Sequence, residues 1–180
     1  PNIFVLGTKE DVQKCREDMG LGEFKTASGW VGNGGVYVVS KEIYNELMLP
    51  LNLNEQYFML IKHELSHLFF QHVSQFHSRP DWLWEGCAIY LSGQNKYKKK
   101  SEKFNGFLKF YEKNIEGSVY QESGFVVQLL VDEFGKKKLL NLIKRAKDFN
   151  SVEEFQKLFK EIYNIELSYS AINELWLNSG

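Results

Sequence analysis

Three features of the sequence predict an α+β fold. β-prone runs gather near the N-terminus at residues 3–6, 24–30 and 35–39, a glycine-rich stretch separates the last two, and from Asn54 onward apolar residues recur with a helical period. The expected architecture is a small N-terminal β-sheet followed by a mainly helical C-terminal part. A single domain is expected over residues 1–180, with 1–53 as the mixed α/β part and 54–180 as the helical part. A chain of 180 residues lies in the usual range for one domain, and at that size folding buries roughly two thirds of the unfolded surface.

Residues 3–6 read as a short apolar strand. Thr8 with Asp11 makes a capping-box-like helix start, and Gly20 is placed to stop that helix. Residues 24–30 and 35–39 read as strands joined through Val31, Gly32, Asn33 and Gly34, a spacing suited to a hairpin. Ser40 can cap a short helix running to about Leu49, where Pro50 ends it. Asn54 is placed to cap a long helix through about Phe76, and Ser78, Arg79, Pro80 and Asp81 then break the chain before a second helix at 82–91. The lysine-rich segment 94–100 predicts a loop. Further helices are expected at 101–114, 120–134, 136–147, 152–163 and 169–177, with Gly135 separating two of them. No internal repeat, low-complexity tract or long linker interrupts this order.

Composition narrows the classes of function. Hydrophobic residues at 43% and charged residues at 25% describe a globular chain, too apolar for a disordered one. A formal net charge of -1 gives no reason to expect nucleic acid or an acidic membrane as partner. Lys96, Lys98, Lys99 and Lys100, and again Lys136, Lys137 and Lys138, read as solvated helix ends or loops. Two cysteines, Cys15 and Cys87, exclude a multi-bridge framework, and Cys87 reads as a small buried residue. No apolar run approaches the roughly 20 residues a membrane span needs. The sequence begins with Pro1, so upstream processing or truncation is expected, which slightly favours an extracytoplasmic or secreted location.

Chemistry concentrates in the long predicted helix, at His63, Glu64, Leu65, Ser66 and His67. Residues four apart share a helical face about one turn apart, so both imidazoles can reach one ion while Glu64 projects beside them toward a metal-activated water. Zinc suits imidazole and carboxylate ligands and keeps an open position in catalytic sites. Glu85 follows 18 residues after His67, between Trp84 and Leu83 on one side and Gly86, Cys87 and Ala88 on the other. An unpaired charge in such an apolar helix is expensive to bury, and a metal would remove that expense; the alternative is a Glu85 that points outward to water. His72 and His77 are set aside. His72 stands about 140° around the helix from His67, and His77 lies about 15 Å along the axis. Phe58, Phe69, Phe70, Phe76, Trp82 and Trp84 are read as core rather than as a stacking platform.

The pattern His63-Glu64-x-x-His67, followed by Trp82-Leu83-x-Glu85-Gly86-x-Ala88-x-Tyr90, resembles the gluzincin zinc metallopeptidases. It is most similar to the small peptidase MA-like proteins and to the catalytic domain of aminopeptidase N-like enzymes. The likeness extends through Tyr120, Gln121, Glu122, Ser123, Gly124 and Phe125 to Gly135, and covers roughly residues 29–147. It implies a zincin-like fold, with His63, His67 and Glu85 binding one zinc ion per chain. It also implies Glu64 as general base, Tyr120 as oxyanion stabiliser and a peptide or protein as substrate. By the same analogy the strand 34–39 would be the edge strand, lying over the active-site helix and pairing with an extended peptide.

Three departures accompany the resemblance. The interval from His67 to Glu85 is one residue shorter than in aminopeptidase N-like enzymes. No Gly-Ala-Met-Glu-Asn segment precedes the zinc motif, so the glutamate that holds a free amino terminus in those exopeptidases is missing, which points to an endopeptidase. Position 89, one turn after Glu85, is Ile89 rather than an acidic residue, so another group must orient the histidines. Two other readings stay open at this point: a catalytically silent zinc-binding or protein-interaction domain, and a zinc hydrolase of a non-peptide amide or ester.

Overall fold

The structure is a computed structural model that describes residues 1–24, 27–47, 53–110 and 117–179. It is α+β, with a small N-terminal sheet and a mainly helical C-terminal part. Two compact units are distinguished, Pro1–Leu68 and Phe69–Gly180, and the division falls inside the long helix α3 (Leu53–Val73). Among the described residues no helix is long and apolar enough to cross a membrane.

The first unit holds strands β1 (Asn2–Leu6), β2 (Gly29–Gly32) and β3 (Gly35–Val39), and helices α1 (Lys9–Asp18) and α2 (Lys41–Leu47). Thr8 caps α1 by accepting from the Asp11 amide at 3.0 Å, as its sequence position predicts. β2 and β3 form a hairpin closed by Asn33 and Gly34, both at positive φ (46° and 72°), the conformation that lets a two-residue turn follow the twist of the strands. Ser40 sits at the start of α2, its hydroxyl accepting from the Ile43 amide at 3.4 Å.

Sheet order is β1-β3-β2, with β1 parallel and β2 antiparallel to β3. This corrects the expectation for the strand 34–39, which is central and not an edge. β1 pairs with its other side, so that β1 and β2 are the two edge strands. The run 24–30 is also shorter than expected: β2 begins only at Gly29, and residues 25 and 26 lie outside the described residues.

Side-chain alternation divides the sheet into two faces. Phe4, Tyr37 and Trp30 stack across the three strands, at 4.8 Å and 5.8 Å between ring centres. On that face α1 supplies Arg16 over the Trp30 ring at 5.5 Å, and Met19, just past its end, accepts from Trp30 Nε1 through its sulfur at 3.4 Å. Val36 and Val38 point to the other face and are fully buried with Val39, Ile43 and Leu60. Tyr57 on α3 donates its hydroxyl to the Val39 carbonyl at 2.8 Å, fixing α3 against the end of β3.

The second unit contains α4 (Asp81–Ser92), α5 (Gly117–Phe134), α6 (Lys136–Arg145), α7 (Val152–Tyr163) and α8 (Tyr169–Asn178). Trp82 is its hub, fully buried with Phe107, Phe155 and Phe159 edge-on at 5.5, 6.3 and 6.4 Å. α4 and α5 approach closely because two glycines face the partner helix. A Cβ on Gly86 would stand 2.7 Å from the Ser123 carbonyl oxygen, and one on Gly124 would stand 2.3 Å from Ile89 Cγ2. Ser151 and Ser168 cap α7 and α8, and Gly135, at φ 82°, separates α5 from α6.

The helix expected at 101–114 is absent from its described part, 101–110. Side chains take the amides a helix would need. Glu122 accepts from the amides of Asn105, Gly106 and Phe107 at 3.0, 2.8 and 3.0 Å, and Asn173 both accepts from the Phe104 amide at 2.7 Å and donates to its carbonyl at 2.9 Å. Residues 111–114 lie outside the described residues, as do Leu49 and Pro50, the expected end of α2. α3 begins at Leu53, so Asn54 stands within its first turn, and α3 ends at Val73 rather than near Phe76. The 94–100 segment opens with a short 3-10 helix, Gln94–Tyr97.

The aromatic residues read as core divide. Phe70 and Trp82 are buried and Trp84 packs against the same cluster. Phe58, Phe69 and Phe76 are instead exposed, at 63%, 52% and 84%. Phe58 and Phe69 are eleven residues apart on α3, hence on one face within about 20°, and that face is turned about 120–180° from His63 and His67. The buried side of α3 is shared by His63, Glu64 and His67 with Met59, Leu60 and Phe70, and Phe58 and Phe69 fall on the opposite side.

Candidate metal centre

His63 and His67 stand on consecutive turns of α3 with their rings at right angles and centres 4.7 Å apart. Their Nε2 atoms face each other at 3.1 Å. Two imidazoles bound tetrahedrally to zinc at about 2.0–2.1 Å would bring their nitrogens to about 3.3 Å, so this spacing suits two lone pairs aimed at one ion. Burial, and next the neighbouring His63, hold the His67 pKa well below its usual 6.5. The ring is therefore neutral near pH 7, the state in which it can ligate a metal.

Glu85 lies on α4, which starts after Pro80 and ends at Gly93, whose φ of 81° lets its amide reach back to the Ile89 and Tyr90 carbonyls. The residue is 5% exposed, which corrects the outward-pointing alternative. Its neighbours Leu83, Gly86, Cys87 and Ala88 are buried as well. His63, His67 and Glu85 form a buried group that could hold a metal ion, each offering one ligand atom, and those atoms lie within 4.8 Å of one another. Two imidazoles and one carboxylate are a donor set that fits zinc, with a fourth position left over.

Glu64 is likewise buried, at 5% exposure. Its carboxylate lies directly under β2: a Cβ built on Gly29 would meet Glu64 Cγ at 2.8 Å, Oε1 at 2.9 Å and Cδ at 3.0 Å. This approach joins residues 35 positions apart and has no signal in the spacing of either. Lys98, read from the sequence as part of a solvated lysine run, is corrected by the structure. It is half-buried rather than solvated; burial lowers its pKa, while the charge of Glu85 acts in the opposite direction.

Tyr120 stands in the first turn of α5 and is 37% exposed. Glu122, two residues on, is committed to the amides of residues 105–107. His72 and His77 are exposed and stand outside the metal-capable group. Cys15 and Cys87 are both free, and Cys87 is fully enclosed, with burial raising its thiol pKa. No family model matches this chain, and no curated protein and no solved structure matches it either.

Proposed function

We propose that the chain is a zinc-dependent hydrolase of peptide bonds of the gluzincin type, cleaving within chains. One observation carries the reading: the buried His63, His67, Glu85 group, with the buried carboxylate of Glu64 next to its first histidine. A purely structural zinc site closes its coordination with a fourth protein ligand and has no use for an adjacent carboxylate, whereas a hydrolytic site needs both an open position and a base.

Zinc, when bound, supplies a Lewis acid that acidifies water and polarises a carbonyl. Glu64 accepts the proton of the attacking water and passes it to the leaving amine. Tyr120 is proposed to donate its hydroxyl hydrogen to the carbonyl oxygen as charge develops there, an interaction whose loss typically costs about 10²–10³ in rate. The substrate is taken to lie along β2. The hydrogen-bonded pairs of the hairpin include Ser28 with Val39, whose amide donates at 2.9 Å, so by alternation the peptide groups of Gly29 and Val31 face away from β3 and can pair with an extended chain.

Metal analysis of the purified chain, together with digestion of a mixed peptide library, tests the proposal. About one zinc per chain is expected, with loss of tight binding in His67→Ala and cleavage at internal bonds. An unchanged zinc content in His67→Ala would refute the ligand set. A zinc-loaded chain that leaves every peptide intact would refute the hydrolase.

A further inference from the structure

We infer that Gly29 is a positioning residue for Glu64: the volume that a side chain at position 29 would take is the volume that the Glu64 carboxylate fills. The inference rests on the hydrolase reading above, in which Glu64 is the base.

Glycine in a strand is a weak choice, because it packs nothing and costs about 0.5–1 kcal/mol relative to alanine. Two reasons can justify it, a backbone angle that other residues avoid or a lack of room. The angle is not the reason here. Gly20, Gly22, Gly34, Gly93 and Gly135 have positive φ, and Gly29 does not. Room is the reason. Along β2, Trp30 faces α1, and Gly32 does too, since a Cβ there would meet Met19 Cε at 2.2 Å. Alternation turns Gly29 to the opposite face, where the three atoms at 2.8–3.0 Å from its missing Cβ all belong to the end of the Glu64 side chain. Glu64 is 5% exposed, so a methyl group at position 29 would force the carboxylate out of its seat rather than merely brush it.

The consequence is specific to the base. β2 is an edge strand, and Gly29 is the point at which that strand lets the carboxylate come up beside the peptide groups a substrate would pair with. No side chain intervenes there. An alanine at 29 would leave His63 and His67 in place on α3 while moving the one group that must meet the proton of the attacking water. A base displaced by about 1 Å can cost on the order of 10²-fold in rate.

The test is Gly29→Ala in the zinc-loaded chain. Its zinc content should stay at the parental level, kcat should fall about 10- to 100-fold and KM should change by less than about threefold. A crystal structure of the variant, which needs no activity, should show the Glu64 carboxylate displaced by about 1 Å with both histidine rings in place. A parental kcat, a loss confined to KM, or a carboxylate that has not moved would each overturn the inference. If Gly29→Ala does not fold, adding Glu64→Ala removes the obstructing carboxylate and must restore folding; a double variant that stays unfolded overturns the inference too. The two readings fail separately. A parent without zinc or cleavage overturns the hydrolase, whereas an active parent whose Gly29→Ala variant keeps its kcat overturns the positioning role.

Discussion

His67 is held neutral by its surroundings, burial first and the adjacent His63 second, and this has a consequence for stability. In the folded chain its pKa is depressed well below 6.5, while the unfolded chain takes up the proton as pH falls through about 6.5. In that window the unfolded state holds more protons, so stability is full above the unfolded value and is lost as pH falls below it, by up to about 1.4 kcal/mol per pH unit for one such group. Chelator-treated protein should therefore melt at a lower temperature at pH 5.5 than at pH 7, and His67→Gln should flatten that dependence. Equal slopes in the two proteins would show that His67 does not carry the effect. Glu64 calls for a different measurement. Glu64→Gln keeps the shape of the side chain but cannot take a proton, so zinc should be retained while hydrolysis drops by about 10²–10⁴. A variant that cleaves at the parental rate would remove Glu64 from the role of base.

At the scale of elements, α4 and α5 depend on two small residues. Gly86 lies beside Glu85, and its missing Cβ would stand 2.7 Å from the Ser123 carbonyl oxygen and 2.8 Å from Val127 Cγ2. A backbone oxygen cannot rotate away as a side chain can, so Gly86→Ala should part the helices and destabilise the chain by about 1–3 kcal/mol, read as a lower midpoint in denaturant. An unchanged midpoint would mean that the pair tolerates the wider spacing. Local signals placed most helices correctly, because caps and stops act within a few residues: Thr8, legible as a cap, accepts from the Asp11 amide, and the structure adds Ser151 and Ser168, each accepting from an amide three residues on. The segment 101–110 failed for the complementary reason. Its apolar residues carry a helical period, yet Glu122 and Asn173, distant in sequence, take the amides on which a helix ladder would depend.

For the whole molecule, the proposed cleavage within chains rests on where carboxylates are and are not. The hairpin residues 30–39 contain no Asp or Glu, and Glu122 is spent on backbone amides, so neither supplies an anchor for a free amino terminus. A peptide and its acetylated counterpart should accordingly be cleaved at similar rates; loss of cleavage on acetylation would show that the amino terminus is recognised and that internal cleavage is the wrong reading. What the sequence by itself determined is the set of features whose geometry is set by helical repeat. His63 and His67 must share a face because they are four apart, and Glu64 must adjoin them. The α+β division also follows from local periodicity. Only the tertiary structure decided what depends on pairing between distant segments. β1 pairs parallel to β3 and makes it central, so the edges of the sheet are β1 and β2. Phe58 and Phe69 are turned outward, on the side of α3 opposite the one that carries the polar motif. Gly29 meets Glu64 across 35 residues of chain. Such contacts are chosen by which surfaces pack best once the chain has collapsed, and neither residue's local sequence carries information about the other.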